Sequence, residues 1–248
     1  MPGPSRAPLQ HTANLKAHWE SVGQRYTREW DPPGRARIGE REIEFILAGL
    51  RASPGRTALD VGIGSGRILS ELLRRTEDTV FYGIDIAEAM VEATRARLAG
   101  EPRMRDLRVC DIAVESVPFD ETFDSISAIR MLKYNVNWRE IVGRLAVRLN
   151  DGGVIVFSMT NRDSLNRFSR EDTLRWETAT KGELEELCDA LGLTVLAVTG
   201  FTKLPHVLYN RARSPRVAKV LLAADAGLAR VVGPPTLARE IFISARRG

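Results

Sequence analysis

Apolar runs of strand character alternate along the chain with segments whose apolar residues recur every three or four positions. Alternation of this kind predicts an α/β fold with helices packed on a sheet. The predicted strands span residues 57–61, 79–85, 107–112, 123–129, 154–159, 193–198 and 238–245, and the predicted helices span residues 12–31, 38–50, 87–98, 138–149, 180–191 and 214–231. The segment Asn150-Asp151-Gly152-Gly153 is expected to end the helix of residues 138–149.

Three glycines at alternate positions follow the first predicted strand. Residues 57–61 lead into Gly62-Ile-Gly64-Ser-Gly66, and a helical pattern begins directly afterwards. Glycine permits positive φ and lets a ligand lie against bare backbone. The helix end would add unpaired N–H groups and the positive end of a dipole. The segment therefore predicts the opening of a nucleotide-binding βαβ unit.

The glycine spacing excludes two other nucleotide-binding motifs. A dinucleotide fingerprint needs a third small residue at position 67, where this chain has Arg67. A phosphate-binding P-loop would end in Gly-Lys-Ser/Thr, which is also missing.

Acidic residues accompany the ends of the first three predicted strands. Asp60 precedes the glycines, Asp85 ends the second strand and Asp111 closes the third. Because ligands of open α/β sheets bind at the carboxyl edge, these carboxylates are expected to meet there. Asp85 follows the glycines by about twenty residues, where an acid can accept both hydroxyls of a ribose. The alternative is that Asp85 is the N-cap of the helix of residues 87–98, and it could do both.

Composition limits the cellular context and the chemistry. No apolar run is long enough to span a bilayer, and residues 1–8 lack the apolar segment of a secretory signal. Cys110 and Cys188 lie far apart in apolar segments, so both are expected to be reduced core residues of a cytoplasmic protein. The three histidines have no ligand-like spacing, so no metal site is expected.

The net charge of +4 is spread unevenly. From residue 201 onward the chain has nine Lys and Arg against two acids, Asp225 and Glu240. A basic patch can bind nucleic acid, anionic lipid or an acidic small molecule. A solvated helix face is the simpler explanation.

The pattern Asp60-x-Gly62-x-Gly64-x-Gly66, followed by Asp85 and Asp111, resembles the motifs of class I S-adenosylmethionine (SAM) methyltransferases. The resemblance covers about residues 12–200 and the last strand. It implies a three-layer, doubly wound Rossmann-like sheet of seven strands, with the last strand antiparallel beside the fifth. The implied parts are N-terminal lid helices (1–52), a SAM-binding core (53–200), a basic helical insertion that caps the substrate (201–237) and the closing strand of the core (238–248).

The resemblance also implies the residues of the site. Asp111, with the backbone N–H that follows it, would read the adenine edge. The implied cofactor contacts are Tyr26, Asp60, Gly62, Gly64, Gly66, Asp85, Ile86, Asp111, Ile112 and Ile129. The implied substrate contacts are Trp30, Arg130, Tyr134 and His206. Tyr134 and His206 are the candidate catalytic residues, although His206 could be structural and Tyr134 could simply be a loop aromatic. Trp19 is expected to be a packing residue, and Tyr26 could serve either purpose.

The implied reaction transfers a methyl group from SAM and leaves S-adenosylhomocysteine. The acceptor would be an O, N or C nucleophile of a small molecule, such as a secondary metabolite, a quinone or a lipid-like compound. Two alternatives stay open: an RNA or protein methyltransferase that docks its substrate on the basic segment, and a SAM-fold protein without transferase activity, such as a cyclase or a regulatory partner. Neither the acceptor atom nor the oligomeric state follows from the sequence.

Overall fold

A computed structural model describes residues 14–21, 32–165, 176–233 and 235–248. Helix α1 comprises residues 14–21. The other helices are α2 (Pro33–Ala52), α3 (Arg67–Arg75), α4 (Glu88–Arg97), α5 (Trp138–Ala146), α6 (Lys181–Ala190), α7 (His206–Arg211) and α8 (Pro215–Val232), and residues Leu132–Tyr134 form a 3₁₀ turn. The strands are β1 (Thr57–Val61), β2 (Val80–Asp85), β3 (Met104–Val109), β4 (Phe123–Ala128), β5 (Leu149–Asn161), β6 (Thr178–Ala179), β7 (Leu193–Phe201) and β8 (Glu240–Arg247).

The strands form one mixed sheet in the order β3-β2-β1-β4-β5-β8-β7, with the short β6 paired to β5. The pairs from β3 to β5 are parallel, and β8 is antiparallel to both β5 and β7. The doubly wound sheet with its last strand inserted beside the fifth is therefore confirmed, and β6 is an addition to it. The strand order reverses between β1 and β4, which opens a crevice at the carboxyl ends of these strands.

Central strands send alternate side chains into two apolar cores. On β5, Val154 and Val156 join the core beneath α2, whereas Ile155 and Phe157 join the core beneath α5 and α6. Burial on both faces explains why these strands are almost continuously apolar. Helix α2 is thus part of the layer that covers the sheet.

The end of the predicted helix at residues 138–149 is wrong. Helix α5 stops at Ala146, and the segment expected to terminate the helix lies inside β5. Phe123 pairs with Leu149 and Ser125 with Val154, so the intervening residues of β5 bulge out of the ladder. The bulge accommodates Gly152 at a φ of +73°. Strand β3 also differs from its prediction, because it ends at Val109 and leaves Asp111 in the loop beyond.

The segment before β8 folds against α2 through α7 and α8. Helix α8 confirms the predicted basic helix at residues 214–231. Its buried Asp225 accepts hydrogen bonds from the Tyr209 hydroxyl (2.9 Å) and from the backbone N–H groups of Lys203 (2.5 Å) and Leu204 (3.2 Å). This carboxylate fastens α8 to α7 and to the loop after β7. The division of the chain into four parts stays a prediction.

Candidate active site

The glycine turn after β1 forms the floor of a cavity. Gly62, Gly64 and Gly66 have φ of +76°, +54° and +75°, which only glycine adopts readily. A Cβ on Gly62 would lie 2.8 Å from the Cβ of Met131 in the loop after β4. A Cβ on Gly66 would lie 2.9 Å from the Thr94 side chain of α4. Gly62 thus permits the close approach of the loop after β4, and Gly66 permits the close approach of α4.

Asp85, at the end of β2, holds the glycine turn in place. One carboxylate oxygen accepts the Gly64 N–H (2.9 Å) and the other accepts the Ala87 N–H (3.0 Å). The alternative that Asp85 is the N-cap of the next helix is wrong, because α4 begins at Glu88 with Ala87 as its N-cap, and Asp85 binds the N–H of Ala87 instead of a first-turn N–H. Burial raises the pKa of Asp85, and the backbone hydrogen bonds oppose that shift. Asp85 also lines the cavity.

Asp111 lines the same cavity from the loop after β3. Its side chain accepts the Ala113 N–H (3.1 Å), and burial raises the pKa of its carboxyl group. Cys110 and Ile112 on either side also line the cavity. Burial raises the pKa of the Cys110 thiol to about 12, so this thiol is protonated at neutral pH.

Asp60 differs from the other two acids because it lies behind the cavity wall and does not line it. It is 2% exposed and accepts a hydrogen bond from the Ser127 hydroxyl of β4 (2.6 Å). Its Oδ2 accepts no hydrogen bond from the described residues. Burial raises the pKa of this carboxyl group to about 7, and the Ser127 bond limits the rise. The structure thus brings only two of the three acids, Asp85 and Asp111, to the cavity.

Arg130, in the loop after β4, lines the cavity. Its guanidinium is bound by two carboxylates that do not line the cavity. It pairs with Glu240 of β8 (2.9 Å) and with the fully buried Glu42 of α2. Ser158 donates its hydroxyl to Glu240 and accepts the Arg130 N–H, both at 2.9 Å. Burial acts to raise the pKa of Glu240, but the charges of Arg130 and Lys133 outweigh it and the pKa is lowered. Burial raises the pKa of Glu42. These two carboxylates neutralise and orient Arg130.

Helix α1 covers the cavity. Leu15 and Trp19 line it, and the Trp19 ring meets the Tyr134 ring edge to face with centroids 5.5 Å apart. Glu20 accepts the N–H groups of Glu88 (2.7 Å) and Ala89 (3.1 Å) at the start of α4. An acidic side chain is favourable there because the N–H groups of a first helical turn lack backbone partners. Helix α1 therefore closes the cavity through contacts at two points.

The cavity encloses about 680 Å³, including the part open to solvent, which is within the usual range of ligand sites. The predicted site residues that line it are Gly62, Gly64, Asp85, Ile86, Asp111, Ile112, Ile129, Arg130 and Tyr134. The lining residues that the sequence analysis did not assign to the site are Leu15, Trp19, Val61, Ile84, Met90, Cys110, Met131 and Asn135. Most of these unassigned residues are next in sequence to a predicted site residue. Trp19 had been assigned to packing, and its partner in the loop after β4 is not evident from local sequence.

Three predicted residues fall outside what the structure describes. Tyr26 and Trp30 lie between the described ranges. The backbone of His206 begins α7, but its side chain is not described. Helix α7 contacts α2 and α8, and none of the described residues of these three helices lines the cavity. The roles of Tyr26, Trp30 and His206 stay predictions.

Membrane-spanning helices and metal-binding clusters are both absent among the described residues. No helix among them is long and apolar enough to cross a membrane. The same residues contain no group of three or more His, Cys, Asp or Glu side chains that could hold a metal ion. Cys110 and Cys188 are buried free thiols, in agreement with the prediction of core residues.

Known proteins show similarity to both the sequence and the fold. A methyltransferase domain family matches residues 58–153. A ubiquinone biosynthesis O-methyltransferase of Idiomarina loihiensis is 29% identical over 70% of this chain and 78% of its own length. A ubiquinone/menaquinone biosynthesis C-methyltransferase of Geobacter sulfurreducens is 32% identical over 47% of each chain. The structure of geranyl diphosphate C-methyltransferase from Streptomyces coelicolor superposes with a TM-score of 0.67 at 17% identity, over 99% of this chain and 100% of the other.

The domain match, the relatives and the fold together support a class I SAM-dependent methyltransferase. It is therefore an enzyme, and its cofactor is SAM. Within the class it is similar to the ubiquinone-biosynthesis branch.

Proposed function

We propose that the cavity beneath α1 holds SAM, with Asp85 at the ribose hydroxyls and Asp111 at the adenine edge beside the backbone N–H of Ile112. Both carboxylates have lost water through burial, and a carboxylate oxygen can accept more than one hydrogen bond. A ligand that brings hydroxyl and amino hydrogens replaces the lost water contacts. Gly62 and Gly64 supply bare backbone for the rest of the cofactor.

The other predicted cofactor residues divide by location. Ile86 and Ile129 line the cavity and would form apolar walls around the adenosine. Asp60 and Gly66 would act indirectly, by fixing β1 against β4 and α3 against α4. Tyr26 would contribute from the chain that follows α1. These assignments extend the predicted site and do not depend on one another.

The chain's part in the reaction would be positioning and exclusion of water. SAM supplies an activated, electrophilic methyl group. Trp19, Met131 and Tyr134 surround the cavity with apolar surface and would hold the acceptor in line with that group. Alignment of two reactants can contribute about 7–11 kcal/mol to catalysis. Cys110 would not act as a base, because its protonated thiol does not ionise at neutral pH.

We infer that the acceptor is a small molecule with a ring hydroxyl, such as a quinol or a phenol. The O-methyltransferases of ubiquinone biosynthesis among the relatives support an oxygen acceptor. The apolar, aromatic lining near Tyr134 suits a flat ring, and Trp30 would add to it. Arg130, whose charge is neutralised by Glu42 and Glu240, would orient a polar substituent without requiring an anion. The enzyme would act in the cytoplasm, which the two buried free thiols support.

A methyl-transfer assay tests this proposal. The purified protein is incubated with methyl-labelled SAM and matched sets of quinols, phenols, amines and carbon nucleophiles, and products are identified by mass spectrometry. We expect label on a ring hydroxyl, with S-adenosylhomocysteine formed in equal amount. Tyr134→Ala should raise the KM for the acceptor, whereas Tyr82→Phe, a change at a distant tyrosine, should not. Transfer only to amines or carbon would refute the oxygen assignment, and no transfer to any small molecule would refute the acceptor class.

A further inference from the structure

The outward face of α8 is apolar where a soluble helix is usually polar. Val217, Val220 and Val231 are 49%, 68% and 83% exposed. At 100° per residue these valines and Ala224 fall within an arc of about 60°. The opposite face carries the buried Ala218, Leu222 and Asp225. The valines therefore lie along one line of the helix, hereafter the valine stripe, that no described part of the protein covers.

Basic residues flank the valine stripe on one side. Arg216, Lys219 and Arg230 are exposed and follow the same helical geometry along α8. Two further exposed arginines, Arg211 and Arg213, precede the helix. The surface thus combines a stripe of exposed apolar side chains with five exposed cations.

Acidic residues do not offset this charge. Asp225 is the only acid between residues 201 and 239, and it faces inward to bind Tyr209 and the loop after β7. The nearest acids on the neighbouring α2 are Glu40 and Glu44, which share the groove beside Lys219 with Arg37 and Arg41. The exposed surface of α8 beside the valine stripe is therefore positive.

We propose that α8 docks flat on an anionic membrane surface, with the valine stripe in the acyl boundary and the flanking bases at lipid phosphates. Helices that lie in the membrane interface have this combination of a basic face and an apolar face. Nucleic acid fits less well, because single strands are bound by aromatic stacking and α8 contains no aromatic residue. One helix of this kind gives reversible, peripheral binding. The inference does not depend on methyl transfer.

Vesicle co-sedimentation tests the proposal on the full-length protein. We compare vesicles of phosphatidylcholine alone with vesicles of equal parts phosphatidylcholine and phosphatidylglycerol. The wild type should sediment only with the anionic vesicles and should dissociate at high salt. Lys219→Glu/Arg230→Glu should weaken binding by about 25-fold or more, since each base contributes about fivefold. Val220→Asp should weaken it as well. Arg139→Glu/Lys181→Glu makes the same charge change at two exposed bases on α5 and α6 and should bind as the wild type does.

Several results would overturn the proposal. These are equal binding to both vesicle types, unchanged binding by the α8 variants, or equal losses in the control variant. Binding to RNA but not to vesicles, with sensitivity to the same α8 substitutions, would assign the surface to nucleic acid instead. Circular dichroism confirms that each variant is folded, and SAM binding should be unchanged because no residue of α8 lines the cavity. A wild type that binds anionic vesicles but does not bind SAM would refute the proposed cofactor site and leave the membrane proposal standing.

Discussion

Glu20 connects the helix that covers the cavity to the start of α4, and its removal should loosen that cover. The Glu20→Ala substitution deletes two hydrogen bonds, to the N–H groups of Glu88 (2.7 Å) and Ala89 (3.1 Å). Loss of a helix N-cap costs about 1 kcal/mol, and loss of a charge at a helix N-terminus adds about 0.3–1 kcal/mol. Glu20 is partly exposed, so we take about 1 kcal/mol in total for the closed position of α1.

A cost of this size should weaken SAM binding about fivefold if closure of α1 and SAM binding are coupled. Fluorescence titration with SAM measures the affinity, and amide hydrogen exchange measures protection at Glu88 and Ala89. Both the affinity and the protection should fall in Glu20→Ala. Glu92→Ala, which removes an exposed acid of α4 that pairs with Arg95, is the matched control. Unchanged protection in Glu20→Ala, or an equal loss of affinity in the control, would refute the reasoning.

Two predictions concern buried charges. Because the pKa of Asp60 rises in the folded state from 3.8 to about 7, the native protein binds more protons than the unfolded chain between these values. The free energy of unfolding should therefore fall by up to about 4 kcal/mol as pH rises through this window. Urea unfolding between about pH 5 and about pH 8 measures this fall. The fall should be smaller in Asp60→Asn. A wild type equally stable across the window would contradict this. Glu42→Ala leaves Arg130 and Arg67 without a shared carboxylate and should cost about 3 kcal/mol in the same assay. Glu44→Ala, at an exposed end of an ion pair, should cost under about 1 kcal/mol, and equal losses would refute the prediction.

Local sequence was enough to predict the edge of the sheet at which the cavity lies. The glycines at 62, 64 and 66 are set by backbone geometry within a few residues, and Asp85 and Asp111 lie next to strand ends. Parallel strands must end at one edge, so the grouping of Asp85 and Asp111 follows from the order of elements alone. The antiparallel β8 was expected from the resemblance to the methyltransferase family rather than from its own pattern.

Contacts between residues far apart in the chain could not be predicted from the sequence pattern. The Asn150-Asp151-Gly152-Gly153 segment has the composition of a helix stop, and only the pairing of β4 with β5 turns it into a bulge. Asp60 was expected at the cavity, but its side chain turns to Ser127 on β4, a partner 67 residues away. Glu42, Glu240 and Ser158, which hold Arg130, come from three separate elements. No periodicity in the chain indicates such partners.

Calorimetric titration of SAM tests the central claim that this cavity is the cofactor site. The wild type should bind SAM and S-adenosylhomocysteine. Asp85→Asn keeps an acceptor for the glycine turn but loses the charge that would face the ribose, so its affinity should fall about a hundredfold. Asp106→Asn, at a carboxylate on β3 that pairs with Arg108 away from the cavity, should bind as the wild type does. A wild type that does not bind SAM, or an Asp85→Asn variant that binds it unchanged, would contradict the account.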